Sequence, residues 1–225
     1  MPSSPPVRLR ICGILFDMDG VLMSSLGSVE RSWSVYAKER GLDPEHAIRL
    51  AHGRRALETV RELMPDADPQ AELLAIEDLE VADNEGIAVL PGVRELLQSL
   101  PHDRWAIVTS ATGRLARSRL AYAGLSVPDR FVSSEMVENG KPHPEPYRRG
   151  AALLGCDPAN CLVVEDAPAG VSAGKAAGCK VLGVLTTHSA ASLHQADWRV
   201  PTLESVKVTI LPDGALEVTI DNVIS

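Results

Sequence analysis

The chain has 225 residues, 45% of them apolar and 23% charged, an ordinary globular balance that excludes disorder as its main state. Its net charge of −8 comes from 22 basic and 30 acidic side chains with no basic run, which argues against nucleic acid as a partner. No apolar run approaches the roughly 18 residues of a membrane span, and the short run 11–16 leads straight into acidic residues, so neither a membrane partner nor a signal peptide is expected. Only residues 1–6, Met-Pro-Ser-Ser-Pro-Pro, look disordered. Apolar runs at 10–16, 104–109, 130–133, 161–164, 180–185 and 197–200 predict strands, and the stretches 92–100, 112–123, 145–154 and 168–177 predict helices between them. Strands alternating with helices of this length indicate parallel βαβ units, hence a doubly wound α/β sheet. Gly124, Gly155 and Gly178 each fall where a helix should end in a left-handed residue.

Residues 23–87 depart from this rhythm: they are rich in Ala, Leu, Glu and Arg and break at Gly41, Gly53 and Met64-Pro65. Trp33, Tyr36 and Ala37 share one helical face, and Leu57, Val60, Arg61 and Met64 another, so the segment predicts a bundle of about four helices. Its place after the first strand's carboxyl end, where such sheets bind ligands, favours a cover over the site. The expected division is a core of 1–22 and 88–225 with a cap of 23–87. In the tail, Val206–Leu211 and Ala215–Ile220 alternate around Pro212-Asp213-Gly214, predicting a β-hairpin with an edge role. The cysteines, Cys12, Cys156, Cys161 and Cys179, form no C-x-x-C pair and read as reduced core residues of a cytoplasmic protein. The six histidines lack zinc-site spacing.

Chemistry concentrates at the predicted strand ends. Asp17 and Asp19 are two apart at the end of the first strand, so their carboxylates face one side, and Gly20 lets the chain turn away. Paired carboxylates need a cation or a proton, although a solvated turn has the same composition. Ser110, with the backbone N–H groups beside it, stands at a helix start where an anion can sit, or serves only as a cap. Lys141, stiffened by Pro142, suits fixing an anion as a point charge, although a solvated lysine is the ordinary alternative. Glu165 and Asp166 add two carboxylates of the hard-oxygen kind that Mg²⁺ takes beside phosphate, or an acidic helix start. The set supplies an oxygen nucleophile, an acid/base, two phosphate holders and a metal cradle, which is the inventory for phosphoryl transfer.

In that order, Asp17-Met18-Asp19-Gly20, Ser110, Lys141 and Glu165-Asp166 resemble the four motifs of the haloacid-dehalogenase-like superfamily across nearly the whole chain. The strings from Gly140 to Tyr147 and from Glu165 to Lys180 are similar to those of glycerol-phosphate and 2-deoxyglucose-6-phosphate phosphatases. His52-Gly53-Arg54 and Trp105–Ser110 resemble these and the bacterial sugar-alcohol phosphatases. The resemblance implies a Rossmann-like sheet with a helical cap and a Mg²⁺-dependent phosphatase of small sugar or polyol monophosphates. Asp17 would be nucleophile and metal ligand, and Asp19 the acid/base, lending its backbone carbonyl to the metal. Ser110, Ala111 and Lys141 would hold the phosphoryl group, while Asp166, and Glu165 directly or through water, would complete the metal site. His52, Gly53 and Arg54 are candidate substrate contacts from the cap, and Arg55 is expected to be solvated. Val21 and Ser24 stand where many such phosphatases have Thr and Asp. Two alternatives remain, a phosphosugar mutase and a non-enzymatic phospho-receiver. The length and Asp19 disfavour the receiver. Val29, where mutases of this branch place a histidine, disfavours the mutase. A dehalogenase would need no metal cradle. The oligomeric state is open, with a monomer compatible.

Overall fold

The computed structural model describes residues 5–224, so most of the expected disordered segment, residues 1–4, lies outside the described residues. Six parallel strands form the main sheet in the order β6-β5-β2-β7-β8-β9. They are β2 (Gly13–Phe16), β5 (Trp105–Val108), β6 (Phe131–Val132), β7 (Cys161–Glu165), β8 (Lys180–Val184) and β9 (Trp198–Val200). All four residues of β2 and all five of β7 are buried, as expected of strands covered on both faces. Alternation sorts their side chains: Ile14, Phe16, Leu162 and Val164 enter one core, and Leu15, Cys161 and Val163 enter the other. Helices α5 (Val93–Ser99) and α6 (Gly113–Tyr122) contribute Val93, Leu96, Ala116 and Leu120 to the first core. Helices α7 (Glu145–Leu153) and α8 (Pro168–Ala177) contribute Tyr147, Ala151, Val171 and Ala173 to the second. The doubly wound arrangement is therefore as the sequence predicts, and Gly124, Gly155 and Gly178 all have positive φ.

Between β3 (Met23–Ser24) and β4 (Ala88–Val89), which pair antiparallel as the chain leaves and re-enters the core, lie four helices. These are α1 (Leu26–Glu39), α2 (Pro44–Ala51), α3 (Ala56–Leu63) and α4 (Pro69–Ala82). Asp43 and Asp68 cap α2 and α4 by accepting from the N–H groups two residues on, each followed by Pro in the first turn. Trp33, Tyr36, Ala37, Val60 and Ile76 form a separate apolar cluster, so this insert has its own small core. Arg61, grouped with Val60 by spacing, is exposed. No described helix is long and apolar enough to cross a membrane.

Three expectations change. The first predicted strand is two strands: β1 (Val7–Ile11) belongs to a second sheet, and the chain bends at Cys12 before β2. The tail hairpin forms, as β10 (Val206–Ile210) and β11 (Leu216–Ile220), but β11 is the centre of that second sheet, in the order β1-β11-β10, rather than an edge of the first. Leu216, Val218 and Ile220 are buried in the first core, which is why the sheet stays. Finally, Cys12 and Cys156 form a disulfide, with Cα atoms 5.9 Å apart, so the four cysteines are not all reduced. The bend at Cys12 and the turn after α7 meet across a separation of 144 residues, a proximity no spacing rule shows. The cytoplasmic expectation drawn from reduced cysteines loses that support. Cys161 and Cys179 remain free and buried, and burial pushes their thiols up to about 11 and about 12.

Candidate active site

Strands β5, β2 and β7 lie side by side, so whatever follows their carboxyl ends converges. Asp17 directly follows β2, its N–H donating to Val164 O at 3.0 Å. Thr109-Ser110-Ala111 follow β5, and Thr112 caps α6 by accepting from Leu115 N at 3.2 Å. Glu165 ends β7 and Asp166 opens the loop into α8. One cavity is lined by Asp17, Asp19, Ser110, Ala111, Lys141, Glu165 and Asp166 from the core and by His52, Gly53 and Arg54 from the insert. All ten of these candidates therefore line one space.

Lys141 is the hub. Its Nζ donates to Asp17 Oδ1 at 2.7 Å, to Glu165 Oε1 at 2.7 Å and to Val108 O at 3.0 Å, and the residue is buried. Burial alone would push the ammonium toward neutrality, but the Asp17 and Glu165 carboxylates outweigh it and hold its pKa above the usual lysine value. Asp17 is raised to about 7, first by burial and then by Glu165 and Asp19, against the opposing pull of Lys141. Asp166 is raised well above the carboxylate range by burial and by the charges of Glu165 and Asp17. One lysine does not balance this crowd of carboxylates.

Asp17, Glu165 and Asp166 bring one carboxylate oxygen each within 4.8 Å of one another, a spacing and donor type that fit a hard divalent cation. Glu165 is the most constrained of the three. Its Oε1 accepts from Lys141 and from Tyr147 Oη at 2.6 Å, and its Oε2 accepts from the N–H groups of Asp166 and Ala167 at 3.1 and 3.2 Å. Thr187 Oγ1 donates to Asp166 Oδ2 and steadies the other side. Gly20, at φ +77°, is where a Cβ would run into the Asp166 carboxylate, so the acid pair of β2 and that of β7 approach only across a glycine.

Several functional-looking residues escaped the sequence reading. Arg119 is buried on α6 and donates from Nη1 to Asp19 Oδ1 at 3.0 Å and from Nη2 to Glu80 Oε1 of α4 at 3.1 Å. Two charged neighbours give it a raised pKa despite its burial. The available signal was a charge on the apolar face of Leu115, Ala116 and Leu120. Thr187 carried no signal, and Tyr147 stood only at the end of the string that begins at Gly140. Arg55 reverses its expectation: it is buried, and its guanidinium donates to the carbonyls of Ser134, Val137 and Glu138 at 3.3, 3.1 and 3.0 Å. Arg54, by contrast, pairs with Glu62 at 2.9 Å beside the cavity. His52 also lines it, with Nε2 buried and without a hydrogen-bond partner among the described residues, 3.8 Å from Glu30 Oε1, and burial lowers its pKa.

A parallel sheet with these four stations at its carboxyl edge and a helical insert above them is a capped α/β fold of the doubly wound kind. Residues 11–178 match the family described as haloacid dehalogenase-like hydrolase, and the chain belongs to that family. It is 44% identical over 211 residues to hexitol phosphatase A of Escherichia coli, covering 92% of this chain and 98% of that one. It is 34% identical over 220 residues to glycerol-1-phosphate phosphohydrolase 2 of Saccharomyces cerevisiae, covering 92% and 88%. Among solved structures it is similar to β-phosphoglucomutase of Clostridium difficile, with TM-score 0.74 and 22% identity over 88% of this chain and 93% of that one, a likeness of fold. The resemblance read from the motifs is borne out at the level of superfamily and branch.

Proposed function

We propose that the protein hydrolyses monophosphate esters of small sugars or polyols through an aspartyl-phosphate on Asp17. The observation that carries this reading is Asp17 itself: a buried carboxylate at a strand end, held by Lys141, beside Asp166 and two residues before Asp19, in a cavity that the insert helps to line. Polyol-phosphate hydrolysis by the relatives supplies the substrate class.

Residues 23–87 act as the cap and the remainder as the catalytic core. Asp17 attacks phosphorus, the bond to the ester oxygen breaks, and the carboxyl proton of Asp19 passes to that oxygen to release the alcohol. Asp19, now a carboxylate, takes a proton from water as the water oxygen attacks the aspartyl-phosphate. Inorganic phosphate leaves, Asp17 is free again, and Asp19 is again protonated. Ser110 and the backbone N–H of Ala111 hold phosphoryl oxygens, and Lys141 supplies the neighbouring positive charge. Mg²⁺ fits the acidic cluster: Asp17, Asp166 and the Asp19 carbonyl would hold it, with Glu165, whose oxygens are both engaged, reaching it through water. When bound, it offsets the carboxylates and the developing phosphoryl charge. His52, Gly53 and Arg54 face the alcohol end of the substrate.

The test is a phosphate-release screen with Mg²⁺ over glycerol, hexitol, hexose and deoxyhexose phosphates, together with glucose 1-phosphate plus catalytic bisphosphate. Release of phosphate from one or more polyol or sugar esters is expected. Glucose 6-phosphate forming faster than free phosphate would overturn hydrolysis in favour of a mutase, an outcome that Val29 at the cavity wall opposes because valine moves no proton.

A further inference from the structure

Helix α6 turns Leu115, Ala116, Arg119 and Leu120 inward, so Arg119 is a guanidinium placed among apolar side chains. A buried cation persists only where it is paired and hydrogen-bonded. Arg119 is paired twice, and its two partners belong to different parts of the molecule. Asp19 sits just past β2 in the core, and Glu80 is on α4 of the cap. The Arg119 and Glu80 side chains are 3% and 6% exposed, so neither charge has water as a substitute for the other. An arginine facing one carboxylate prefers to engage both of its oxygens. Here it does not: one Nη goes to Asp19 Oδ1 and the other to Glu80, leaving Asp19 Oδ2 without a hydrogen-bond partner among the described residues.

We propose that Arg119 is a positioning residue for Asp19, and that Glu80 makes this positioning depend on the cap being closed. With α4 in place, Glu80 draws one arm of the guanidinium away, and Asp19 is fixed by one oxygen while the other is free to exchange a proton with the ester oxygen or with water. With α4 withdrawn, both arms fall to Asp19 and occupy both oxygens. Proton transfer is thereby tied to the closed, water-excluding state, so an open site does not spend its phosphoryl intermediate. Neighbouring bonds from the same two helices hold this closure: Glu77 accepts from Thr112 and, at 2.8 Å, from Arg114, while Asp78 accepts from Arg114 at 2.6 Å.

The inference rests on Asp19 being the acid/base, so the experiment separates the two. It measures kcat/KM, with Mg²⁺ and the full chain, for glycerol 3-phosphate and for p-nitrophenyl phosphate, whose nitrophenolate leaves without protonation. The readout is the ratio of the alkyl to the aryl value, which a merely structural defect leaves unchanged. Asp19→Asn should lower the ratio by about 10²-fold or more. Arg119→Met should lower it by on the order of tenfold, with Arg119→Lys recovering part of the loss, and Glu80→Gln should lower it about threefold. A ratio that falls for Asp19→Asn but not for Arg119→Met overturns the positioning role and leaves the acid/base reading standing. A ratio unchanged in Asp19→Asn overturns the acid/base reading itself. Circular dichroism checks each fold. If Arg119→Met does not fold, Glu80→Gln decides: an unchanged ratio refutes the coupling to the cap.

Discussion

Lys141 donates one proton to each of three acceptors, so all of its hydrogen-bonding capacity is spent on fixing the Asp17 oxygen, the Glu165 oxygen and the end of β5. Lys141 thus anchors Asp17 within the protein's own hydrogen bonds. Asn at position 17 keeps the shape and still accepts from Lys141, but an amide cannot form an acyl-phosphate. Asp17→Asn should therefore retain its far-UV spectrum while losing essentially all turnover. Phosphate release above about 1% of the parent rate would remove Asp17 from the nucleophile's role. Gly20, directly after Asp19, matters equally: there the backbone conformation and the Asp166 carboxylate both exclude a Cβ.

At the scale of elements, two sets of contacts among the described residues fasten the insert to the core. One is the α4–α6 contact through Glu77, Asp78 and Glu80. The other is Arg55, at the start of α3, which ties the loop 134–138 by three backbone carbonyls. Gly140 leaves room for it, since a Cβ there would come within 2.7 Å of Arg55 Nε. Because that loop leads into Lys141, the fastening also steadies the Lys141 side of the cavity. Arg55→Ala should cost about 1–3 kcal/mol, the range for stranding buried hydrogen-bonding groups. It should also speed amide hydrogen exchange in residues 134–140 relative to β2 and β7. Denaturant unfolding and exchange mass spectrometry check both, and unchanged exchange in that loop would show that Arg55 does not hold it.

For the whole molecule, the site is a charge problem that folding has to tolerate. Asp17 is raised to about 7, and Asp166 is raised as well, chiefly by burial. A carboxyl with a raised folded-state pKa binds more protons folded than unfolded, so its contribution to stability is fully present at low pH and is lost as pH rises from about 4 through about 7. Lys141, whose pKa is raised, stays charged throughout this window and adds no slope there. Without metal the melting temperature should therefore fall between about pH 5 and pH 8, and Mg²⁺, selective for the native state, should restore it more at the higher pH. Calorimetric scans in EDTA and in Mg²⁺ at both pH values check this, and a larger Mg²⁺ shift at about pH 5 would contradict the metal role of these carboxylates.

The sequence by itself determined the parallel sheet, the helical insert and the four stations at the strand ends. These follow from local rules: apolar runs bounded by glycine and proline, a period of two that sets Asp17 and Asp19 on one side, and the common edge where parallel strands end. What the tertiary structure alone decided are meetings between distant segments. Asp19 and Arg119 lie 100 residues apart, Asp17 and Lys141 124, and Cys12 and Cys156 144. The second sheet is of the same kind, since β1 pairs with β11 from the opposite end of the chain. A helix pattern shows which face of α6 is buried, but not that Asp19, just past β2, and Glu80, from the insert, meet Arg119 there. Periodicity records how a residue sits relative to its chain neighbours, whereas a buried charge is settled by partners that packing brings from elsewhere.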